Sequence, residues 1–306
     1  MFKYVMKRLS MLLVTLFLVI SATFFLMKLM PGSPFANADK LTPDQQAALA
    51  AQYGLNDPLW MQYGNYVWRA LHFDFGESFQ FPGQTVSQLI SMRLGPSVQI
   101  GLQALVFGVT LGILMGIFAM MHHHRRGDKV VSFMSMVGMS VPSFVVAALL
   151  QYFVGLKLGW LPIAGWEGFK FTILPTLALT IAPFALSTRF MRAKLIDVMQ
   201  TDYVAFARAK GLTPRQIVKN HMLRNALLPL VTICGPLAVG LMTGSVVIEQ
   251  VFAIPGIGNQ FVSAILTNDY PMIMGTTIVY ASLLMIVLLI TDLIYGWLDP
   301  RIRFDR

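Results

Sequence analysis

The side chains able to do chemistry in this 306-residue chain are few, and their settings limit the chemistry open to them. Two acids, Glu249 and Asp292, stand at or within long apolar runs. An ionisable group there is a functional candidate by default, because hydrocarbon charges heavily for it. Glu249 precedes the turn Pro255-Gly256-Ile257-Gly258, and a gate or scaffold role is preferred to plain solvation. Glu249, Pro255, Gly256 and Gly258 are therefore the pathway candidates. Asp292 either snorkels to water or pairs with a basic residue. The run His122-His123-His124 beside Arg125-Arg126 reads as a solvated loop rather than a metal site. The single cysteine, Cys234, can make neither an internal disulfide nor a zinc site, and reads as a small buried apolar residue. No GxxxxGK[ST] phosphate loop occurs, so the chain is not expected to hydrolyse ATP. Neither a buried nucleophile with its base nor a pair of acids is present to make an intramembrane enzyme.

What remains is a polar segment between two apolar runs, Tyr203 to Pro229, YVAFARAKGLTPRQIVKNHMLRNALLP. Thr201-Asp202 can cap a helix starting near Tyr203, and Gly211 can end it in the left-handed conformation. Thr213 then caps a second helix, with Pro214 in the first position and Gln216 completing a capping box. That helix runs into the next apolar run at Leu227, while Arg208, Lys210, Arg215, Lys219 and Arg224 keep the pair in water. A basic anchor with no partner is the simplest explanation of the charges. It does not explain two capped helices, because charge bias needs no fold. A rigid projection joined to a spanning helix can transmit force.

The elements that position this projection lie in a bilayer. Hydrophobic residues make up 56% of the chain and charged ones 12%, against about 25% charged in soluble domains. The mean hydropathy is +0.65. The net charge of +9 raises nucleic-acid binding, but the cations flank apolar runs and do not alternate with exposed aromatics, so that class is excluded. Six runs are predicted to span, at 9–29, 97–121, 131–156, 171–188, 227–250 and 273–297, all as helices because backbone groups must be paired in lipid. The first resembles a signal peptide, with Ala36-Asn37-Ala38 as a cleavage-like site. At about 20 residues it is too long for a signal core and is read as a retained span. Of the 23 Lys and Arg residues, 17 fall on one side, which predicts both termini in the cytoplasm.

Gly108, Gly112 and Gly116, with Gly101 before them, predict close helix packing in the second span, within the subunit or against a partner. Pro175 and Pro183 predict a bent or short fourth span. The external insert, 31–93, is predicted to hold two helices. Thr42-Pro43 starts the first and Gly54 ends it; Asp57-Pro58 starts the second, with Leu59, Tyr63, Tyr66, Val67 and Ala70 on one face. It either contacts an external partner, covers the pathway, or caps the membrane helices.

The segment Ala207-Arg208-Ala209-Lys210-Gly211-Leu212, followed by His221, Leu223, Arg224, Asn225, Ala226, Leu227 and Pro229, resembles the cytoplasmic signature loop of ABC importer permeases. The peptide-importer branch is especially similar. Pro31-Gly32-Ser33-Pro34-Phe35, Tyr53-Gly54-Leu55-Asn56-Asp57-Pro58, Asp74-Phe75-Gly76-Glu77-Ser78-Phe79, Gly244-Ser245-Val246-Val247-Ile248-Glu249 and Pro255-Gly256-Ile257-Gly258 resemble it in the same order. Trp160-Leu161-Pro162 looks more oligopeptide-like than dipeptide-like. The wider family opens its loop with Glu-Ala-Ala. This chain has Ala205-Phe206-Ala207 there, so a glutamate contact to the ATPase does not carry over.

The resemblance implies an all-α, six-span type I ABC importer permease fold. Residues 1–30 would be the first span, 31–93 the extracytoplasmic insert, 94–298 the permease core with a coupling loop at 189–226, and 299–306 a cytoplasmic tail. It implies a multi-pass subunit of a bacterial plasma membrane that binds no cofactor of its own. Its partners would be a second homologous permease, two ATP-binding subunits holding ATP-Mg, and an extracytoplasmic peptide-binding protein. ATPase docking is expected at Ala205, Ala207, Arg208, Ala209, Lys210, Gly211 and Leu212, and Gly211→Asp is expected to leave insertion intact but uncouple transport. Oligopeptides are the expected cargo, with dipeptides, glutathione or nickel as alternatives. An ion-coupled secondary transporter would need charged groups at mid-membrane, and the ionisable residues here lie mostly near span ends. A receptor or scaffold would leave the hairpin as a plain protein contact.

Overall fold

The computed structural model describes residues 2–31 and 42–298. The motif Gly32-Ser33-Pro34-Phe35 and the tail 299–306 lie outside them. The described residues form helices: α1 Phe2–Lys28, α2 Pro43–Gln52, α3 Leu59–Leu71, α4 Val86–Met121, α5 Arg126–Ser140, α6 Ser143–Leu150, α7 Lys170–Met199, α8 Asp202–Ala209, α9 Pro214–Ile217, α10 Leu223–Met242, α11 Val246–Val251, α12 Ile257–Leu266 and α13 Tyr270–Leu298. π-Helical turns extend α6 over Gln151–Lys157 and join α9 to α10 over Val218–Met222. The only extended pairing among the described residues is a single bridge, Glu77 to Thr85.

Among the described residues five helical stretches are long and apolar enough to cross a membrane. The third expected span departs from that pattern. It is a pair, Arg126–Ser140 and Ser143–Lys157, bent by 99°. Pro142 is the cause: it lacks an N–H, and it forces Val141 into extended backbone at φ −84°, ψ 122°. The fifth span runs on to Val251 but is interrupted at Thr243 to Ser245, so that Glu249 sits on a short helix of its own, α11.

The fourth span corrects the expectation of a short helix. α7 runs for 30 residues with Pro175 and Pro183 inside it. Threonine hydroxyls bond carbonyls along this helix, from Thr180 to Thr176 at 2.7 Å and from Thr188 to Phe184 at 2.7 Å. Those carbonyls are not the ones the prolines leave without a donor; Pro175 and Pro183 are both buried, and packing by neighbours lets a membrane helix keep proline. α7 also takes in residues 189–199, which the sequence reading placed in the loop.

The chain divides into two compact units. The first comprises residues 1–96 and 255–285, the second 97–254 and 286–306. In the first, α1 offers Phe24 and Met27 to a core with Val86, Leu89, Ile90, Ile257 and Met272. Phe24 meets Tyr63 and Tyr66 of α3, with ring centroids 5.4 and 6.0 Å apart. Ala70 is buried and Tyr63, Tyr66 and Val67 are half-buried, as the face predicted for α3 requires, but Leu59 is exposed. Thr42 and Gln45 cap α2 reciprocally, and Gly54 turns the chain at φ +65°. Asp57 does not cap α3; Pro58 holds the cap position, and the Asp57 carbonyl accepts instead from Gln62 Nε2 at 2.6 Å.

In the second unit, α4 lies against α7 along the glycines. A methyl on Gly108 would sit 2.6 Å from Cγ of Pro183, on Gly112 2.6 Å from Cβ of Ser187, and on Gly116 2.6 Å from Cβ of Met191. On Gly101 it would fall 2.5 Å from the carbonyl oxygen of Leu241 in α10. The close packing read from these glycines is thus found within the subunit. Only glycine permits backbones this near.

Candidate functional site

The polar hairpin forms as its capping residues dictate, with one exception. Thr201 occupies the cap position of α8, but its hydroxyl donates back to the Val198 carbonyl at 2.6 Å and caps nothing. Gly211 turns the chain at φ +78°, a conformation costing other residues about 1–2 kcal/mol. Its N–H reaches the Arg208 carbonyl at 2.9 Å. Thr213 and Gln216 then make the reciprocal capping box that starts α9. The helix runs on through the π-turn into α10, so the hairpin and the fifth span are one helical rod with a widened turn.

The two faces of α8 differ sharply. Val204 and Ala207 are buried, in a core with Met191, Leu195, Ile217, Val218, Met222 and Ala226. Of the residues expected to dock, Ala207 therefore faces inward, and Leu212 is half-buried. Ala205, Arg208, Ala209, Lys210 and Gly211 are exposed. Beside them stands an aromatic that the residue reading passed over as a contact. Phe206 is 62% exposed, with the Lys210 ammonium 4.5 Å from its ring centroid. Tyr203 is exposed too, its hydroxyl accepting from Asn225 Nδ2 at 2.8 Å. A large exposed aromatic on a helix held in water was the available signal, because such a residue has no lipid to cover it.

A second feature of this unit was also missed. Asp128, in the first turn of α5, is buried and accepts from Arg192 Nε at 2.5 Å and Nη2 at 2.8 Å. The His124 N–H at 3.2 Å and His123 Nδ1 at 3.3 Å complete its shell. The histidine run is thus partly engaged, through His123, in an ion-pair cluster that clamps the start of α5 to α7. Among the described residues no group of three or more His, Cys, Asp or Glu side chains is placed to hold a metal. Cys234 is half-buried against the core below the hairpin, as a small apolar residue would be.

The acid Glu249 is fully buried, and Ser97 donates to its Oε1 at 2.6 Å. This joins α11 to α4. Pro255, Gly256 and Gly258 belong to the other unit, where Gly256 occupies the cap position of α12 in extended backbone. Asp292 is half-buried on α13.

A capped hairpin joined to apolar helices long enough to span a bilayer describes a multi-pass membrane protein. Residues 108–304 match the family described as binding-protein-dependent transport system inner membrane component, and residues 1–91 match the N-terminal family of such membrane components. The chain belongs to this family of type I ABC importer permeases, and is a multi-pass protein of the cell membrane. It is 49% identical to the dipeptide transport system permease protein DppB of Lactococcus lactis, over 99% of this chain and 100% of that one. It is 41% identical to the oligopeptide transport system permease protein OppB of Haemophilus influenzae, again over 99% and 100%. Among solved structures, an inward-facing MetNI methionine ABC transporter shares the fold, with a TM-score of 0.56 at 20% identity over 69% of this chain and 96% of that one.

Proposed function

We propose that this chain forms half of the translocation pathway of an ATP-driven peptide importer, and that a separate ATPase works it through the hairpin. The hairpin carries the reading. It is rigid by its capping box and glycine turn, one face is anchored in the subunit's own core, and the other presents Tyr203, Phe206 and a set of cations. Its second arm continues into α10 as one rod, and α8 packs on that rod through Val204 and Ala207, so a push on α8 is passed to the membrane through packed side chains. Alternation between inward- and outward-facing states by rigid-body motion follows from such a lever.

The insert with α2 and α3 then lies outside the cell, where a binding protein would deliver its cargo, and the hairpin lies inside. The complex would hold a second related permease, two ATP-binding subunits and the binding protein. Ala205, Phe206, Arg208, Ala209 and Lys210 are the docking face, with Ala207 and Gly211 fixing its shape. Glu249 with Ser97 is read as part of the gate, and Pro255, Gly256 and Gly258 as gate or pathway candidates.

The cargo is read as oligopeptides from the resemblance at Trp160-Leu161-Pro162. A dipeptide cargo is the second reading, favoured by the name of the 49% identical relative. Mass spectrometry of ligands on the copurified binding protein separates the two. The lever itself is tested in proteoliposomes holding the whole complex. Uptake is expected to require ATP hydrolysis, and protease added outside intact cells is expected to spare the peptide bond after Lys210. ATP-independent uptake, or cleavage there from outside, would sink this reading.

A further inference from the structure

The first unit contains a cavity of about 330 Å³ between the end of α1, α3 and the start of α13. That is at the small end of ligand pockets. Its cation is Lys28, half-buried at the last position of α1. The ammonium donates to Gln62 Oε1 at 2.5 Å and lies 5.6 and 5.8 Å from the ring centroids of Phe24 and Tyr270. Gln62 is not free to turn. Its Nε2 is held by the carbonyls of Leu55 at 2.9 Å and Asp57 at 2.6 Å, which aims its oxygen at Lys28. An ammonium has three donors, and a neutral amide takes one here. Among the described residues no carboxylate forms an ion pair with Lys28.

The other charges of the cavity are accounted for differently. Asp74 is bound by the Gly76 N–H at 3.0 Å and Arg69 Nε at 2.9 Å, which hold its carboxyl below the usual range. Those two side chains neutralise each other. Asp57 and Glu77 also line the cavity, so it is amphoteric rather than simply cationic. A small inorganic anion or a lipid phosphate gains from Lys28 but is repelled by these acids. The end of a peptide brings a carboxylate for Lys28 together with backbone N–H groups, and in a short peptide an ammonium, that the acids can accept from.

We infer that this cavity is a subsite for the end of a peptide, with the terminal carboxylate received by Lys28. The inference rests on the peptide-importer reading and names where the cargo first touches the permease. Charge-assisted bonds of this kind are the strong ones. The rings of Phe24 and Tyr270 flank the ammonium, and Gln62 takes only one of its three donors.

The test uses the whole transporter in proteoliposomes with saturated binding protein. Uptake of a peptide with a free C-terminus is compared with uptake of its C-terminal amide, in the wild type, Lys28→Met and Lys28→Arg. The ratio of variant to wild-type rate cancels any preference of the binding protein. Lys28→Met is expected to slow the free acid about tenfold while leaving the amide near its wild-type rate, and Lys28→Arg to restore the free acid. Equal slowing of acid and amide, or no change in either, overturns the subsite. Absence of ATP-driven uptake of both peptides by the wild type would instead overturn the parent reading.

Discussion

The seam between α4 and α7 and the hairpin at α8 both depend on glycine, and they use it in opposite ways. Along the seam, Gly108, Gly112 and Gly116 each leave less than 3.0 Å to the nearest side-chain atom a methyl would meet. At Gly211 a methyl would meet nothing, and it is the φ of +78° that asks for glycine. The charges follow the same division. Beside the seam the buried Asp128 is paired with the partly exposed Arg192, whereas Arg208 of α8 and Lys210 just after it stand exposed. The seam is a finished interface, and the hairpin is proposed to be half of one. Substitutions in the first should cost stability, and in the second should cost coupling with little loss of stability.

The sharpest break of the seam is Arg192→Met. It removes both guanidinium bonds and leaves Asp128 buried with only the His124 N–H, His123 and Ser132 around it. Orphaning one member of a fully buried pair costs about 3–5 kcal/mol, and with Arg192 partly exposed the loss here lies below that. The expected outcome is a large fall in the apparent melting temperature of the detergent-solubilised complex. The double variant Asp128→Asn, Arg192→Met is expected to recover part of it, since no charge is then left unpaired. Equal melting of the wild type and Arg192→Met would show the pair to be dispensable.

Gly112→Ala comes next. Its methyl would fall 2.6 Å from Cβ of Ser187 and 2.8 Å from the Phe184 carbonyl, so the helices must part. Overpacking of this kind costs about 1–3 kcal/mol. Lower yield and melting temperature are expected, with residual transport falling in proportion to the folded protein recovered. A normal yield would mean that the seam has slack.

Gly211→Val costs about 1–2 kcal/mol in backbone conformation alone, because nothing crowds the site. Near-normal insertion is expected, with ATP hydrolysis no longer matched by uptake. Asn tolerates the left-handed region, so Gly211→Asn is expected to couple better than Gly211→Val. For the same reason Gly211→Asp probes charge on the docking face as much as turn geometry. If Val and Asn variants couple alike, turn conformation is not what the lever needs.

This contrast also marks what could be read from residues alone. The turn at Gly211 and the box at Thr213 are local, and four to six neighbouring residues specify each. The seam was legible as a spacing of small residues, though its partner helix was not. The bend at Pro142 was missed because an apolar run reads as one span whether or not a proline interrupts it. At Pro175 and Pro183 the helix stays long because both prolines are buried against neighbours, a packing that no short window displays. Asp128 was hidden because its partner lies 64 residues away. Thr201 shows that even a cap is not guaranteed by residue type, since its hydroxyl had a carbonyl within reach on the preceding helix.

Phe206 should give the smallest effect on stability and so the cleanest view of the unfinished interface. Its ring is 62% exposed and packs on no core cluster; its near neighbour is the Lys210 ammonium. Phe206→Ala therefore removes almost no buried area and should leave the melting temperature unchanged. At an interface the same truncation behaves differently. Aromatic anchors that fill a partner's pocket typically account for more than about 1 kcal/mol each, whereas the surrounding polar rim adds little. The expected outcome is a roughly tenfold weaker binding of the ATPase to the permease in detergent, measured by titration, with Phe206→Trp close to wild type. Lys210→Ala should change mainly the association rate and its salt dependence, as rim charges do. If Phe206→Ala binds the ATPase normally while Lys210→Ala does not, the exposed face of α8 acts through charge. The apolar knob would then have to be assigned elsewhere, most directly to the half-buried Leu212 at the rim of the methionine-lined cavity beside the hairpin.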